Sequence, residues 1–515
     1  MHRRAFLKAC GAGIGAAVLP SANAVPAAAD SRPNIVLIMA DDIGISDIGC
    51  YGGEIDTPNI DKLAAGGLRF RDFYCEPMCV PARAVLMTGV YETKSLDKKH
   101  ALNTNCLTIA ELLKSAGYAT AMTGKWHLGD VRTPCRRGFD RYFGTLFGAG
   151  SFYAPLSLTR NLDNAETEFA KKDFYYTDAI SDTAVKYIDT TPSATPLFLY
   201  VAYTAAHWPL HAKPNDIAKY KGRYKMGWDK LREQRFQRMR ELGVVSDMAK
   251  LSPRDPEVPA WKDEPHKAWQ QRRMEVYAAQ IDCMDQGIGR IVEALDRTGR
   301  LDNTLLIFTV DNGACHVEYT PDRKGAFFNK TTRDGRPMRP GNIPTIMPGP
   351  EDTWQSVGRG WANVSNTPYR MFKRYAHEGG VHNSFIVHWP RGMAYRNDIT
   401  GARAHMLDVM PTLLDAAGVK HPAAPNGRDP MPMDGVSFMP VLKNKPHKGR
   451  PPIYWSWSHG QAVMDGRWKL VRLDKKPWEL YNIETDPTEL NNLADTLPNK
   501  VNELKKMWSA WSNNR

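Results

Sequence analysis

Beyond its first two dozen residues the sequence has no charge-free run of 18 or more apolar residues, so no membrane-spanning helix is expected. It also lacks a basic stretch interleaved with aromatics, which excludes a nucleic-acid groove. No internal repeat of useful period is present, which argues against a solenoid. Cysteine is sparse, eight in 515 residues, and Cys75 and Cys79, four apart, lack the second half of a zinc site. What is there is a globular composition, 42% hydrophobic and 24% charged, with 40 glycines and 36 prolines. Such a chain is neither disordered nor fibrous. Its length suits one large domain with a smaller one, or two to three units, with a core that needs no disulfides.

The formal net charge of +12 is modest for this length and favours anionic substrates or an acidic surface. The densest basic stretch, Lys219 to Arg240, alternates charge with Trp228, Leu231, Phe236 and Met239 and reads as a solvated helix face. Residues 1–24 combine Arg3 and Arg4 with Phe6 and Leu7, a mild Ala/Gly-rich apolar run, and small residues Ala22 and Ala24 at cleavage positions. That is the pattern of a twin-arginine signal peptide, removed on export to the bacterial periplasm or beyond. Its loss would take Cys10 with it and leave an odd number of cysteines, which invites another task for one of them.

Asn34 to Met39, Ala119 to Met122, Leu197 to Val201 and Leu305 to Val310 are short continuous apolar runs. They read as buried strands of a mostly parallel sheet. Each leads into polar residues: Asp41 and Asp42, Lys125 and His127, His207, and Asp311 and Asn312. Ile281, Met284, Ile288, Ile291, Val292 and Leu295 recur at helical spacing before Gly299. Thr108 is placed to cap a helix carrying Ile109, Leu112 and Leu113 that Gly117 ends. Alternating strands and helices predict an α/β fold, a large mixed, mostly parallel sheet flanked by helices. In such sheets the ligand sits beyond the carboxyl ends of the strands, where these polar residues cluster.

Thr320 to Thr367, rich in Gly, Pro and Arg, reads as a long surface loop that walls a substrate pocket. Tyr454 to Trp457, Ala462 to Val463, Trp468 to Arg472 and Trp478 to Tyr481 alternate like antiparallel strands, and Val501 to Trp511 reads as a closing helix. Residues 32–445 are therefore expected to form the main domain and 446–515 a smaller C-terminal α+β subdomain.

The most informative stretch runs from Cys79 to Gly89, CVPARAVLMTG. Pro81 suits the first turn of a helix and Gly89 its end. Cys79 then sits at a helix N-terminus, where the dipole and free N–H groups favour an anion. Arg83, one turn on, adds a planar cationic fork suited to an oxyanion. Alone, the stretch serves equally well as a buried cysteine before an ordinary helix.

It resembles the type I sulfatase family, the formylglycine-dependent branch of the alkaline phosphatase superfamily. That family's pattern is Cys or Ser, any residue, Pro, Ser or Ala, then Arg, followed by Thr-Gly. Further blocks are similar and in the expected order: Asn34 to Asp42, Asp56 to Leu63, Gly124 to Gly129, Ala206 to Pro209 and Asp311 to Gly313. Lys373 with Glu378 to Gly380, and Glu479 to Asn482 with Asp486 and Pro487, complete the set. The stretches Asn366 to Arg370 and His377 to Gly380 are most similar to bacterial arylsulfatases.

The resemblance implies that Cys79 is oxidised to Cα-formylglycine by a maturation enzyme, and that the domain over 32–445 is catalytic. It implies one divalent cation, usually calcium, held by Asp41, Asp42, Asp311, Asn312 and the converted Cys79, an oxygen set suited to a hard ion. Arg83 and Lys125 would stabilise the aldehyde hydrate, and Lys125 and Lys373 would hold sulfate oxygens. One hydroxyl of the hydrate would attack sulfur while His207 protonates the leaving alcohol or phenol. His127 would then deprotonate the second hydroxyl and release sulfate, so the substrate is an aryl sulfate or a sulfated carbohydrate. Removing Cys79 from the thiol count leaves the mature chain with an even number of cysteines.

Ala82 replaces the commoner serine, and Val381, His382 and Asn383 replace the usual Arg or small polar residues after Glu378 to Gly380. His382, His377 and His316 read as supporting or structural. Two alternatives stay open: a phosphonate or phosphodiester hydrolase of the same superfamily, and a non-catalytic anion- or glycan-binding protein with unmodified Cys79.

Overall fold

The computed structural model describes residues 32–129, 133–323, 325–422 and 430–513. The expected signal peptide and the middle of the Pro-rich segment before Pro432 lie outside them.

In chain order the main sheet comprises β1 (Asn34–Ala40), β2 (Leu68–Phe70), β3 (Ala119–Gly124), β4 (Arg141–Thr145), β5 (Leu158–Arg160), β6 (Asp163–Asn164), β7 (Leu197–Ala202), β8 (Thr304–Val310), β9 (Phe385–His388) and β10 (Asp398–Thr400). Across the sheet they lie in the order β10-β2-β9-β8-β1-β7-β3-β4-β5-β6. The five central strands from β8 to β4 run parallel. β9 runs antiparallel to both β8 and β2, so the sheet is mixed and mostly parallel. The expected fold class is the observed one.

Successive side chains of β1 point to opposite faces, as a strand requires. Ile35, Leu37 and Met39 join one core, and Val36, Ile38 and Ala40 the other. Helices α1 (Pro58–Ala65), α2 (Cys79–Thr88), α3 (Ile109–Ser115), α4 (Tyr176–Thr190), α5 (Gly227–Glu241) and α6 (Lys267–Arg297) cover these faces. α2 and α3 pack on the first, while α1, α4 and α6 pack on the second. A strand covered on both sides has no solvent face, which is why these runs are continuously apolar.

Local chemistry sets the helix ends. Thr108 Oγ1 accepts from Glu111 N–H while Glu111 accepts from Thr108 N–H, a reciprocal cap for α3. α2 ends at Gly89, whose φ of 64° suits a residue without Cβ.

The C-terminal unit is an antiparallel four-stranded sheet, β11 (Ile453–Trp457), β12 (Gly460–Asp465), β13 (Trp468–Leu473) and β14 (Glu479–Asn482). Two further helices are α7 (Arg359–Ser365) and α8 (Val409–Ala417); the closing helix is α9 (Pro498–Asn513). Leu504 of α9 packs on Val463, Leu470 and Leu480. This sheet backs the α2 approach, because Trp455 Nε1 donates to the Cys75 carbonyl at 2.9 Å.

Three sequence expectations change. The basic stretch over 219–240 is not a wholly solvated face, because Arg235 is buried and paired with Asp47 and Glu54. The segment 320–367 is not all surface loop. It contains α7, and Trp354 and Trp361 are fully buried. Its apolar residues, Phe327, Met338, Ile343, Trp354 and Trp361 among them, are too widely spaced to register as periodicity. α6 begins well before Ile281, since its first half buries polar residues such as Arg273, which pairs with Glu318. No helix among the described residues is long and apolar enough to cross a membrane. The seven described cysteines are all free thiols.

Candidate active site

Strand register assembles the site. Ala40 and Val310 are paired at the ends of β1 and β8, so Asp41 and Asp311 leave the sheet side by side. Gly124 and Ala202 are likewise paired at the ends of β3 and β7. Lys125 and His127 follow one, and the chain to His207 follows the other. These are the carboxyl ends of parallel strands. α2 then brings Cys79 and Arg83 to the same place from its first turn.

The ligand atoms of Asp41, Cys79 and Asp311 all lie within 4.8 Å of one another, as do those of Asp41, Asp42 and His207. Asp42 N–H donates to Asp311 Oδ1 at 3.2 Å, and Asn312 Nδ2 donates to Asp42 Oδ1 at 2.7 Å. Asp41 Oδ1, Asp42 Oδ2, Asp311 Oδ2 and Asn312 Oδ1 are buried and accept no hydrogen bond. Buried polar atoms are nearly always satisfied, so four orphaned oxygens on these adjoining residues fit a cation. All four are hard donors, suited to calcium or magnesium rather than zinc.

The charges tell the same story. Burial and the neighbouring Asp41 carboxylate push Asp311 well above its usual range. Burial also raises Asp41, but Lys125, His207 and Arg83 outweigh it and hold that carboxyl down. Asp311 is thus the one of the three carboxyls that its cationic neighbours do not hold down.

Lys125 Nζ donates to Asp41, and Lys373 Nζ donates to Asp42. Arg83 is fully buried; it donates to the Lys125 carbonyl at 2.8 Å and lies 3.6 Å from Asp41 and 3.7 Å from Asp311. Cys79 Sγ is 3.4 Å from His127 Nδ1. Burial, then the charges of Lys125 and Arg83, hold the His127 imidazole well below its usual value. His207 Nδ1–H donates to the Trp208 carbonyl at 2.7 Å, which leaves Nε2 facing Asp42 Oδ2 at 3.4 Å. Burial depresses His207 to about 4, despite Asp42. Asp42 and His127 both have left-handed backbones, φ 59° and 56°, an uncommon conformation that concentrates at functional sites.

A small cleft of about 170 Å³ opens over Cys79. Cys79, His127, His207 and Lys373 line its base, and Trp208, Phe327, Ala149 and Val317 supply apolar wall. All the residues expected at the site come together. His382 does not line the cleft: its ring nitrogens engage Glu378 and the Arg71 carbonyl. His377 pairs with Glu479, and His316 stacks on Phe372. Arg323 and Phe327 come from the 320–367 segment expected to wall the pocket, though sequence reading singled out neither residue. It also missed Arg374, next to Lys373, and Gly148, which sits in an aperiodic segment.

Comparison with known proteins agrees with this geometry. A family model described as Sulfatase matches residues 33–419, and one described as N-sulphoglucosamine sulphohydrolase, C-terminal, matches 369–512. The chain is 34% identical to an arylsulfatase of Klebsiella aerogenes over 81% of this chain and 94% of that one. It is 31% identical to an uncharacterised sulfatase of Schizosaccharomyces pombe, over 93% of both. Among solved structures, Ps i-CgsB in complex with k-i-k-neocarrahexaose superposes with a TM-score of 0.66 at 26% identity, covering 93% of each chain.

Proposed function

The chain belongs to the sulfatase family and is a sulfuric ester hydrolase; from that premise we propose that Cys79, converted to Cα-formylglycine, is its nucleophile and that Asp41, Asp42, Asp311 and Asn312 hold a calcium ion beside it. The observation that carries the reading is Cys79 at the cleft base, 3.4 Å from His127 Nδ1 and beside the orphaned carboxylate oxygens.

The hydrated aldehyde supplies a geminal diol, a nucleophile with a route for releasing sulfate that a thiol or serine hydroxyl lacks. The cation supplies Lewis acidity and offsets the three carboxylates. Lys373 and Lys125, which hold Asp42 and Asp41 here, would bind the sulfate oxygens. His127, kept neutral by burial and by Lys125, takes a proton at the position of residue 79. His207 acts at the leaving oxygen through Nε2, because Nδ1 is committed to the Trp208 carbonyl. An arriving sulfate ester places negative charge beside that ring and favours its protonated form. Arg83 touches no cleft surface and holds Lys125, Asp41 and Asp311 in place. The substrate class is an aryl sulfate or a sulfated carbohydrate.

The first test is a peptide mass covering Cys79 in protein from its native host, with hydrazide labelling of any aldehyde. The thiol-to-aldehyde mass change supports the reading; an unmodified thiol in active protein overturns it. Cys79→Ser is expected to fold yet lose sustained turnover. Comparing aryl sulfate with phosphodiester and phosphonate esters ranks the sulfate chemistry, and faster phosphonate turnover would replace it.

A further inference from the structure

Two cations in the cleft wall have no role in the chemistry above. Arg323, from the segment after Tyr319, and Arg374, immediately after Lys373, both line the cleft. Other arginines of the neighbourhood are paired: Arg359 with Asp255 and Glu257, Arg273 with Glu318, and Arg370 with Glu479. Among the described residues, neither the Arg323 nor the Arg374 guanidinium makes a hydrogen bond or ion pair.

Their placement is nonetheless built. The Arg323 guanidinium lies 5.1 Å from the centre of the Trp208 ring and 5.5 Å from that of Tyr319. Such contacts fix a cation without neutralising it. The Arg323 carbonyl accepts from Tyr319 Oη at 2.7 Å, which pins the segment to that ring. Arg374 has φ 83°, and its N–H donates to the Pro77 carbonyl at 2.7 Å, two residues before Cys79. The same cleft carries an aromatic wall, since the Trp208 and Phe327 rings stand 5.4 Å apart between centres, tilted by 59°. A ring with one sulfate ester would meet aromatic walls and leave two guanidinium groups without a partner.

We propose that Arg323 and Arg374 form a second anion site, and that the preferred substrate is a ring-bearing sulfate ester with a further anionic group, a carboxylate or another sulfate, on the same molecule. This rests on the sulfate-ester reading above. Guanidinium is the side chain that recognises planar carboxylates and sulfate-like oxyanions through paired N–H donors, so both sources share one chemistry.

The test uses the full-length, converted enzyme and three aryl sulfates that differ at one ring position: a carboxylate, the matching carboxamide and a second sulfonate. Charge-assisted hydrogen bonds predict a kcat/KM preference of roughly ten- to a hundredfold for the anionic esters over the carboxamide. Arg323→Gln and Arg374→Gln are each expected to shrink that preference, mainly through KM. The wild-type to variant ratio cancels differences in leaving-group electronics. Preference for one anionic ester over the other identifies the source. A wild type without preference, or both variants keeping it, overturns the second site. Failure to hydrolyse any of the three would overturn the sulfatase chemistry instead. Binding of benzenedisulfonate against benzenesulfonate, measured by calorimetry, reads the second site without turnover, and equal affinities would also overturn it.

Discussion

At the scale of the residue, the site depends on small distances that loops must maintain. A Cβ on Gly148 would stand 2.0 Å from His127 Cε1, so Gly148→Ala forces that ring away from Cys79. General-base catalysis contributes about 10²–10⁴-fold, and the variant is expected to lose on the order of 100-fold in kcat while keeping its melting temperature within a few degrees. Steady-state kinetics beside a thermal melt would decide it; unchanged kcat removes His127 from the proposed role. The carboxylates of the site were legible because Asp41 directly follows Ala40 and Asp311 directly follows Val310 at the ends of apolar strands, and His127 and His207 lie a few residues beyond the ends of two others. Gly148 and Arg323 were not, because their roles come from rings that meet them only after folding.

At the scale of the element, the alternation of strands and helices was readable because strands covered on both faces are continuously apolar. The helix within 359–365 was not, since beside Trp361 it buries only small or polar residues, Ala362, Asn363, Val364 and Ser365. Nor does sequence reveal that one helix caps another. Asp285 of α6 accepts from the Asn59 and Ile60 N–H groups that open α1. Burial pushes its carboxyl up to about 6, against those donors. The folded chain then keeps a proton that an unfolded carboxyl, near its ordinary 3.8, has released. That contribution favours folding below pH 3.8 and is lost as pH rises through about 6. Asp285→Asn has no such proton to lose, so the wild type should fall in stability relative to it across that window. Urea titrations at several pH values check this, and parallel stability curves would refute it.

At the scale of the whole molecule, the C-terminal sheet and the main sheet meet through buried charge. Lys469 of β13 is fully buried between Glu378 and Glu489. Lys469→Met leaves two buried carboxylates without their cation and should cost about 3–5 kcal/mol in denaturant unfolding. A cost below about 1 kcal/mol would mean that the contact is effectively solvated. Across the same interface Glu479 contacts His377 and Arg370. Burial raises its carboxyl, but His377, Tyr481 and Arg370 outweigh that and hold it at about 2. Its support for the fold is present above pH 4.5 and disappears as pH falls toward about 2, and Glu479→Gln should flatten that acid limb. The interface also reaches the segment before Cys79, where Trp455 bonds to the Cys75 carbonyl and the Trp457 indole N–H meets Met78 Sδ at 3.3 Å. Ribosomes make residue 79 long before residue 453, so translation itself opens an interval during which the segment leading into this thiol lacks its two tryptophan partners. In unconverted protein, a chain stopped before Ile453 should alkylate faster at Cys79 than the complete chain, and any modifying enzyme must win its race before the last strands emerge.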